Sequence, residues 1–121
     1  MKEQVLVLGA STNPSRYAYK AVKNLLAHGH HVTAVGKIET DDFDVKITKK
    51  IPENVHFDTV TLYLNPMNQE AYLEEIIALK PRRIIFNPGT ENKKLELLAR
   101  ENGIKVVINC TLVMLDAGIF E

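Results

Sequence analysis

The sequence predicts an α/β fold in which helices cover both faces of one open parallel sheet. Short apolar runs rich in β-branched residues alternate along the chain with segments whose apolar residues recur at helical spacing. The runs contain few polar residues, as is typical of parallel strands that are buried on both faces. Because crossovers between parallel strands are right-handed, this alternation predicts three layers, with the sheet between two layers of helices.

Each apolar run predicts one parallel strand, and five such runs are present. The predicted strands are 4–8, 32–35, 59–64, 83–86 and 104–108. Apolar residues at helical spacing predict helices around 18–26, 71–79 and 95–99. Gly29 and Asn102-Gly103 follow the first and the third of these segments, and Pro81 follows the second, as expected of helix ends. The polar segment 37–53 supports no prediction of a helix or a strand.

Length and composition predict a single globular domain over residues 1–121. A chain of 121 residues fits one hydrophobic core, and 45% of its residues are hydrophobic. Its 15 basic and 15 acidic residues give a net charge of zero, so it lacks the broad positive field that nonspecific nucleic-acid binding needs. No apolar stretch approaches the roughly 20 residues that span a bilayer. Neither nucleic acid nor a membrane is therefore an expected partner.

Cysteine usage indicates a reducing compartment. Cys110 is the only cysteine, which excludes an internal disulfide, and no charged and apolar leader precedes the first strand, so the expected location is the cytoplasm. Cys110 lies in an apolar run with no histidine beside it, which is typical of a small buried residue; a reactive thiol is the alternative. His28, His30 and His31 cluster where the first helix ends, a place that favours imidazolium over a metal-ligand set.

Asparagine followed by proline occurs just beyond three of the predicted strands. The pairs are Asn13-Pro14, Asn65-Pro66 and Asn87-Pro88, and Asn109 ends the last strand. An asparagine side chain caps a helix by accepting from free amides, and proline fits the first helical position. Capping alone explains each pair taken singly. Together they would form a polar rim at the carboxyl edge of the sheet, where open α/β sheets bind ligands and helix N-termini favour anions.

The loops after the first two strands indicate which nucleotide this rim would hold. Gly9 follows the first strand, but the other two positions of a dinucleotide fingerprint are not glycine. After the second strand the chain reads Val35-Gly36-Lys37, with a lysine where an NAD site carries an acidic residue. Lys37 would suit an additional phosphate on the adenosine ribose, which NADP and coenzyme A both carry. An exposed loop lysine without a ligand is the alternative.

Four motifs together give the chain a resemblance to a known family. They are Gly9-Ala10-Ser11, the Asn-Pro pair after the third strand, Asn87-Pro88-Gly89-Thr90-Glu91-Asn92 and Gly103-Ile104-Lys105-Val106-Val107. On these motifs, nearly the whole sequence resembles the small CoA-binding domain family, which is similar to the N-terminal domain of the succinyl-CoA synthetase α subunit. The resemblance implies a Rossmann-like sheet with strand order 3-2-1-4-5. The chain departs from many members at the last strand, where Asn109-Cys110-Thr111-Leu112 stands in place of an Asp-Arg-Cys-Met run.

The resemblance also implies a site for coenzyme A. The diphosphate and adenosine would meet the first loop and the start of the helix, at Gly9, Ala10, Ser11, Thr12, Ser15, Arg16 and Tyr17. The ribose phosphate would lie near Gly36 and Lys37. The adenine or pantetheine side would contact Leu64, Asn65 and Pro66, and the pantetheine arm would face Asn87, Pro88 and Gly89. Since the first loop would approach the diphosphate closely, Gly9→Val is expected to abolish binding and leave the fold largely intact.

The expected function is that of a noncatalytic module that binds coenzyme A or an acyl-CoA. The chain resembles only the CoA-holding part of a ligase, and nothing after the fifth strand resembles an ATP-grasp or phosphohistidine domain, which favours binding over catalysis. An NADP-binding protein or a small oxidoreductase is the alternative, although the 12 residues after Asn109 are too few for a separate substrate region. The sequence leaves the acyl group and the oligomeric state open.

Overall fold

Six short strands form one parallel sheet in the computed structural model, which describes residues 2–41 and 44–121. The strands are β1 (Gln4–Leu8), β2 (His31–Val35), β3 (Ile47–Thr48), β4 (Thr59–Leu62), β5 (Arg83–Phe86) and β6 (Lys105–Ile108). Their order is β3-β2-β1-β4-β5-β6, and every neighbouring pair is parallel. The predicted α/β fold with a Rossmann-like sheet is therefore confirmed, with six strands rather than five.

The strand that the sequence does not predict is β3, which lies in the polar segment. Its two residues, Ile47 and Thr48, pair with Ala34 and Val35 of β2. A run of two residues carries no periodic signal, so only its pairing with β2 reveals it. β3 is the strand numbered 3 in the order 3-2-1-4-5, and β6 extends that order at the opposite edge of the sheet. The run predicted at 59–64 is consequently the fourth strand along the chain.

Helices cover both faces of the sheet. They are α1 (Tyr17–Ala27), α2 (Pro66–Gln69), α3 (Leu73–Ala78), α4 (Lys93–Glu101) and α5 (Thr111–Asp116), and a 3₁₀ turn (Glu70–Tyr72) joins α2 to α3. The segment 71–79, which the sequence predicts as a helix, contains the end of this 3₁₀ turn and all of α3. The helix α5 is an addition that the apolar run after Asn109 does not reveal. Within the described residues, none of these helices has the length and apolar character needed to cross a membrane.

Alternate residues of the strands enter two separate hydrophobic cores, one on each face of the sheet. On one face, Val5 and Val7 of β1 pack in a core with side chains of α1 and α5. On the other face, Leu6 and Leu8 pack in a core with side chains of α3 and α4. All four are fully buried, and burying each side chain contributes about 1.5–3 kcal/mol. Since successive strand residues point to opposite faces, a run as short as β1 anchors both helical layers.

The amino end of the sheet contains a buried ionic cluster built around Arg83. Its guanidinium donates to Oε2 of Glu3 at 3.1 Å and, through Nε, to Oγ1 of Thr59 at 2.8 Å. It also donates to the carbonyl oxygen of Phe120 and lies over that residue's ring, 4.5 Å from the centroid. Arg83 and Glu3 are both buried. Each charge is therefore compensated inside the fold, which offsets much of the cost of burying it.

His30 is buried beside this cluster. Its Nδ1 accepts from the backbone N–H of Glu3 at 3.0 Å, and its ring meets the ring of Phe120 edge-on. Because Nδ1 accepts, the proton of the neutral ring is on Nε2. That nitrogen lies 3.4 Å from Oε1 of Glu121 but does not satisfy hydrogen-bond geometry with it. Burial is the main cause that lowers the pKa of His30, so the fold favours the neutral imidazole.

Candidate functional site

Gly9 lies where the loop after β1 passes between the ends of β2 and β4. Its φ is +102°, a conformation that favours glycine, and an added Cβ would lie 2.9 Å from the carbonyl carbon of Tyr63. The backbone N–H groups of Gly9 and Ala10 both donate to the carbonyl oxygen of Val35 at 2.8 Å. The fold itself therefore requires glycine here. This packing contradicts the expectation that Gly9→Val would leave the fold largely intact.

Gly36 is the point at which the loop after β2 approaches the loop after β1. A Cβ on Gly36 would overlap the carbonyl oxygen of Ala10 and would lie 3.2 Å from Cγ2 of Ile47. The N–H of Gly36 donates to the carbonyl oxygen of Thr48 at 2.9 Å, which continues the pairing of β2 with β3. Lys37 follows directly and is exposed. The structure thus brings the first two predicted loops into contact with each other.

The loop from Ser11 to Arg16 is largely exposed and is held by its own side chains. The Oδ1 atom of Asn13 accepts from the backbone N–H and the hydroxyl of Ser15, at 3.0 and 2.8 Å. The Oγ atom of Ser11 accepts from the N–H of Asn13 at 3.0 Å. Asn13 therefore forms a turn of its own and does not cap α1. The N-cap residue of α1 is Arg16, and no side chain caps the helix in the described part of the chain.

The remaining residues predicted around this loop are also exposed. Thr12, Arg16 and Tyr17 all face solvent at the start of α1. The helix has 11 residues, so its N-terminus carries the partial positive charge of a full-length helix dipole. With the guanidinium of Arg16 beside it, this N-terminus favours an anionic group such as a phosphate.

Asn65 caps the helix that follows it. Its Oδ1 accepts from the N–H of Asn68 at 2.9 Å, and Pro66 is the first residue of α2. Both Asn65 and Pro66 are exposed, and Leu64 before them is half-buried. The capping interpretation is therefore confirmed for this pair.

Asn87 is buried and joins three elements. Its Nδ2 donates to Oγ1 of Thr61 and to the carbonyl oxygen of Leu62, each at 2.7 Å. Its Oδ1 accepts from the backbone N–H of Thr111 at 2.8 Å. Both amide hydrogens are thus used within the protein, so this side chain connects β4, β5 and α5 and has no hydrogen left to donate to a ligand.

The loop after β5 is exposed beyond this point, at Pro88 and Gly89. Gly89 has a φ of +89°, and its N–H donates to the carboxylate of Glu91 at 2.8 Å. An added Cβ on Gly89 would meet no described atom within 4 Å. The loop therefore has open space beside it, at the place predicted for the pantetheine arm.

Gln69 is a buried residue of this edge that the sequence analysis does not identify. Its Nε2 donates to the carbonyl oxygens of Leu64 and Thr90, both at 2.8 Å, and its Oε1 accepts from Nδ2 of Asn92 at 2.9 Å. Asn92 is in turn the N-cap of α4. Gln69 therefore ties the loop after β4 to the loop after β5. No sequence signal could have found it, because its immediate neighbours are also polar.

Hydroxyl groups connect β4 with α5, and the cysteine directly precedes α5. Thr61 and Thr111 share a hydrogen bond of 2.7 Å between their Oγ1 atoms. Burial raises the pKa of Tyr63, so its phenol stays neutral. Cys110 is half-buried immediately before α5, and its N–H donates to Oδ1 of Asn109 at 2.7 Å. The thiol is thus less buried than the sequence-based interpretation expects.

The three histidines near Gly29 have separate environments. Nδ1 of His28 lies 2.8 Å from the carbonyl oxygen of Asn24 at the end of α1, His30 is buried at the amino end of the sheet, and His31 is exposed. Among the residues that the structure describes, no three His, Cys, Asp or Glu side chains are grouped so that they could hold a metal ion.

The fold and its carboxyl edge define a Rossmann-like α/β domain, and the chain belongs to a known family of this class. Residues 3–116 match the family described as CoA binding domain, so the match covers nearly the whole sequence. The family resemblance that the sequence motifs predict is therefore confirmed. Membership in this family indicates a CoA-related small molecule as the ligand.

Solved structures share this fold. The crystal structure of an uncharacterized protein is 48% identical, with a TM-score of 0.94 and 99% of each chain covered. A protein from Thermus thermophilus is 22% identical, with a TM-score of 0.84 over 98% of this chain and 91% of the other. A hypothetical protein from Pyrococcus horikoshii OT3 is 24% identical, with a TM-score of 0.81 over 97% of this chain and 83% of the other. At these low identities, the last two structures support the fold alone.

Proposed function

We propose that the protein binds coenzyme A or an acyl-CoA at the carboxyl edge of its sheet, as a noncatalytic module. The observation that carries the proposal is the match of residues 3–116 to the CoA binding domain family. The N-terminus of α1, which no described side chain caps, supports it, because backbone N–H groups at a helix start and the helix dipole stabilise a phosphate. Exposed Arg16 and Lys37 add positive charge at the same edge.

The proposed ligand contacts follow the order of the loops. The diphosphate and adenosine lie against the loop from Gly9 to Ser15 and the first residues of α1, Arg16 and Tyr17. The ribose phosphate lies beside Lys37. These groups are exposed except Gly9, Ala10 and Ser11, and the backbone of Gly9 and Ala10 forms the floor of the proposed site. The ligand is therefore held mainly by charge-assisted hydrogen bonds, which are about twice as strong as neutral ones.

The pantetheine arm crosses the ends of β4 and β5. It passes Leu64, Asn65 and Pro66 and continues over Pro88 and Gly89, where the loop has open space beside it. Asn87 contributes by holding this wall in place, since both of its amide hydrogens are used within the protein.

The way the edge uses three of its buried polar residues supports the noncatalytic part of the proposal. The side chain of Asn87 accepts from the backbone N–H of Thr111, and the hydroxyl of Thr111 bonds to that of Thr61. The side chain of Gln69 donates to backbone oxygens in the loops after β4 and β5. A general acid or base must instead be within hydrogen-bond reach of the substrate proton it transfers. These side chains therefore act as braces between loops, and the edge serves to hold a ligand.

An NADP-binding protein is the second candidate function, and Lys37 is the observation that favours it. A cation after β2 suits a phosphate on either hydroxyl of the adenosine ribose. Lys37 by itself therefore fits NADP as well as coenzyme A, and the family match distinguishes the two proposals.

Calorimetric titration with CoA, acetyl-CoA, NADPH and NADH tests the proposed function. We expect CoA and acetyl-CoA to bind with similar affinity, because the thiol end reaches the exposed loop after β5. The mass of any copurifying small molecule gives an independent readout, and a 3′-phosphorylated adenine nucleotide with a thiol is expected. Binding of the nicotinamide cofactors alone would overturn the proposal in favour of the second candidate.

A further inference from the structure

The pairing of β3 with β2 gives the carboxyl edge a second segment beside Lys37. The two strands are parallel, with Thr48 level with Val35. The N–H of Gly36 then donates to the carbonyl oxygen of Thr48 at 2.9 Å, so this hydrogen bond continues the pairing of the two segments at the end of the strands. Because neighbouring strands lie about 4.8 Å apart, the residues that follow Thr48 emerge next to the residues that follow Gly36.

The residues that follow Thr48 are Lys49 and Lys50, and both are exposed. The hydroxyl of Thr48 donates to the carbonyl oxygen of Lys50 at 3.0 Å, which forms a tight turn directly after the strand. Glu39 lies nearby, with its carboxylate 3.5 Å from the backbone N–H of Lys49. Like Lys37, the two lysines form no salt bridge with a described acidic residue, whereas Lys2, Lys23 and Lys94 do.

Three lysines at two adjacent strand exits form a local positive charge on a chain whose net charge is zero. Like charges on neighbouring strands repel one another. Strand pairing nevertheless brings the backbones of Lys37 and Lys49 to neighbouring positions, with Lys50 in the turn that follows. The Glu39 carboxylate offsets one of the three charges, and an anion that all three lysines can reach would reduce the remaining repulsion. A phosphate monoester carries up to two negative charges and several acceptor oxygens, so it can accept from more than one ammonium group.

We infer that Lys49 and Lys50 bind, together with Lys37, the phosphate on the adenosine ribose of the ligand and make the site selective for 3′-phosphorylated adenine nucleotides. The inference rests on the proposed function, since it needs the adenosine to lie at the carboxyl end of β2. Lysine suits this role because its ammonium is a mobile point charge on a long stem. The turn after β3 is thus a specificity determinant of the site.

Calorimetry with CoA and dephospho-CoA tests the inference in the wild type and in the variant Lys49→Gln/Lys50→Gln. We expect the wild type to bind CoA about tenfold or more tightly than dephospho-CoA, since each exposed charge-assisted contact is worth about three- to tenfold. The double variant should lose most of that preference while its affinity for dephospho-CoA changes by less than about twofold. Raising the salt concentration should reduce the wild-type preference for CoA.

The variant Lys80→Gln/Lys105→Gln is the matched control. It removes two exposed lysines from the amino end of the sheet, where Lys80 precedes β5 and Lys105 begins β6. We expect its preference for CoA to equal that of the wild type. An equal loss in control and test variants would overturn the inference, because net charge would then explain the effect.

Two further outcomes separate the inference from the proposed function. Equal affinity of the wild type for CoA and dephospho-CoA would overturn the inference while CoA binding itself stood. If neither ligand bound the folded wild-type protein, the proposed function would be overturned first and the inference with it.

Discussion

The two ends of the sheet use their charged residues in different ways. At the amino end, Glu3, Arg83 and His30 are buried and bonded to one another's backbone or side chains. At the carboxyl end, Arg16 and Lys37 are exposed beside an uncapped helix. Removing one partner of a buried charge pair strongly lowers stability, because the other charge stays buried without compensation. An exposed charge contributes little to stability. Substitutions at the two ends should therefore affect stability and ligand binding separately.

The largest expected effect is at the amino end, in Arg83→Leu. The variant leaves the Glu3 carboxylate buried without its main partner, although the exposed Arg82, at 2.7 Å, and the hydroxyl of Thr59 still donate to it. We expect the free energy of unfolding to fall by about 3–5 kcal/mol, measured by urea unfolding. The CoA affinity of the folded protein should not change.

The double variant Glu3→Gln/Arg83→Leu is the control for this prediction. Removing the carboxylate charge as well should recover part of the lost stability. If Arg83→Leu lowered the CoA affinity as much as Lys49→Gln/Lys50→Gln is expected to lower it, the contrast between the two ends of the sheet would be removed.

Gly9→Ala should have the next largest effect and should affect both stability and binding. The substitution combines a strained φ with contact against the Tyr63 backbone, so we expect the free energy of unfolding to fall by about 2–4 kcal/mol. Gly89→Ala is the matched control, because its φ is also positive but its Cβ would meet no atom of the described residues within 4 Å. Its expected loss is about 1–2 kcal/mol. Equal losses in thermal unfolding would show that packing at Gly9 is unimportant.

Of the two asparagines at the carboxyl edge, the buried one should contribute more to the free energy of unfolding than the exposed one. Asn87→Ala leaves the buried Thr111 N–H without its partner at 2.8 Å, and we expect a loss of about 2–3 kcal/mol in the free energy of unfolding. Asn65→Ala removes an exposed helix cap, which is worth about 1 kcal/mol. Urea unfolding of the two variants measures both losses. A larger loss for Asn65→Ala would contradict the roles assigned here.

The smallest effect is the pH dependence that His30 produces. Burial lowers its pKa below the ordinary 6.5, so below that pH the unfolded chain binds a proton that the folded chain resists. Stability should therefore be fully present above pH 6.5 and decrease as the pH falls, by no more than about 1.4 kcal/mol per pH unit. Urea unfolding at a series of pH values measures this slope. The slope should be smaller in His30→Gln, and an identical slope in that variant would assign the proton to another group.

Sequence patterns were sufficient for the parts of the fold that depend on local periodicity. The runs at β1 and β5 are apolar apart from their first residues, Gln4 and Arg83, and each matches its observed strand over its full length. The loop after β1 and Lys37 after β2 are also placed at one edge by strand alternation alone. In contrast, β3 has two residues, too few for any period to be visible, so the adjacent Lys49 and Lys50 could not be assigned to the same edge.

The three Asn-Pro pairs show where local patterns stop being informative. Asn13 forms a turn within its loop, Asn65 caps α2, and Asn87 bonds to Thr61 and Thr111, which are 26 and 24 residues away in the chain. The same dipeptide thus has three roles because its partners differ in distance along the sequence. Only a partner within a few residues can be inferred from spacing.

The sequence by itself determined the alternation of strands and helices, the open parallel sheet and the family, because these follow from apolar periodicity and from motifs contained in short segments. The tertiary structure alone decided that Gly36 must be glycine, since the obstructing atom is the carbonyl oxygen of Ala10 in the loop after β1. It also decided that Gln69 is a buried brace and that Lys49 leaves the sheet next to Gly36. Each of these depends on which distant segments become neighbours, and sheet pairing and loop packing fix that only when the whole chain folds.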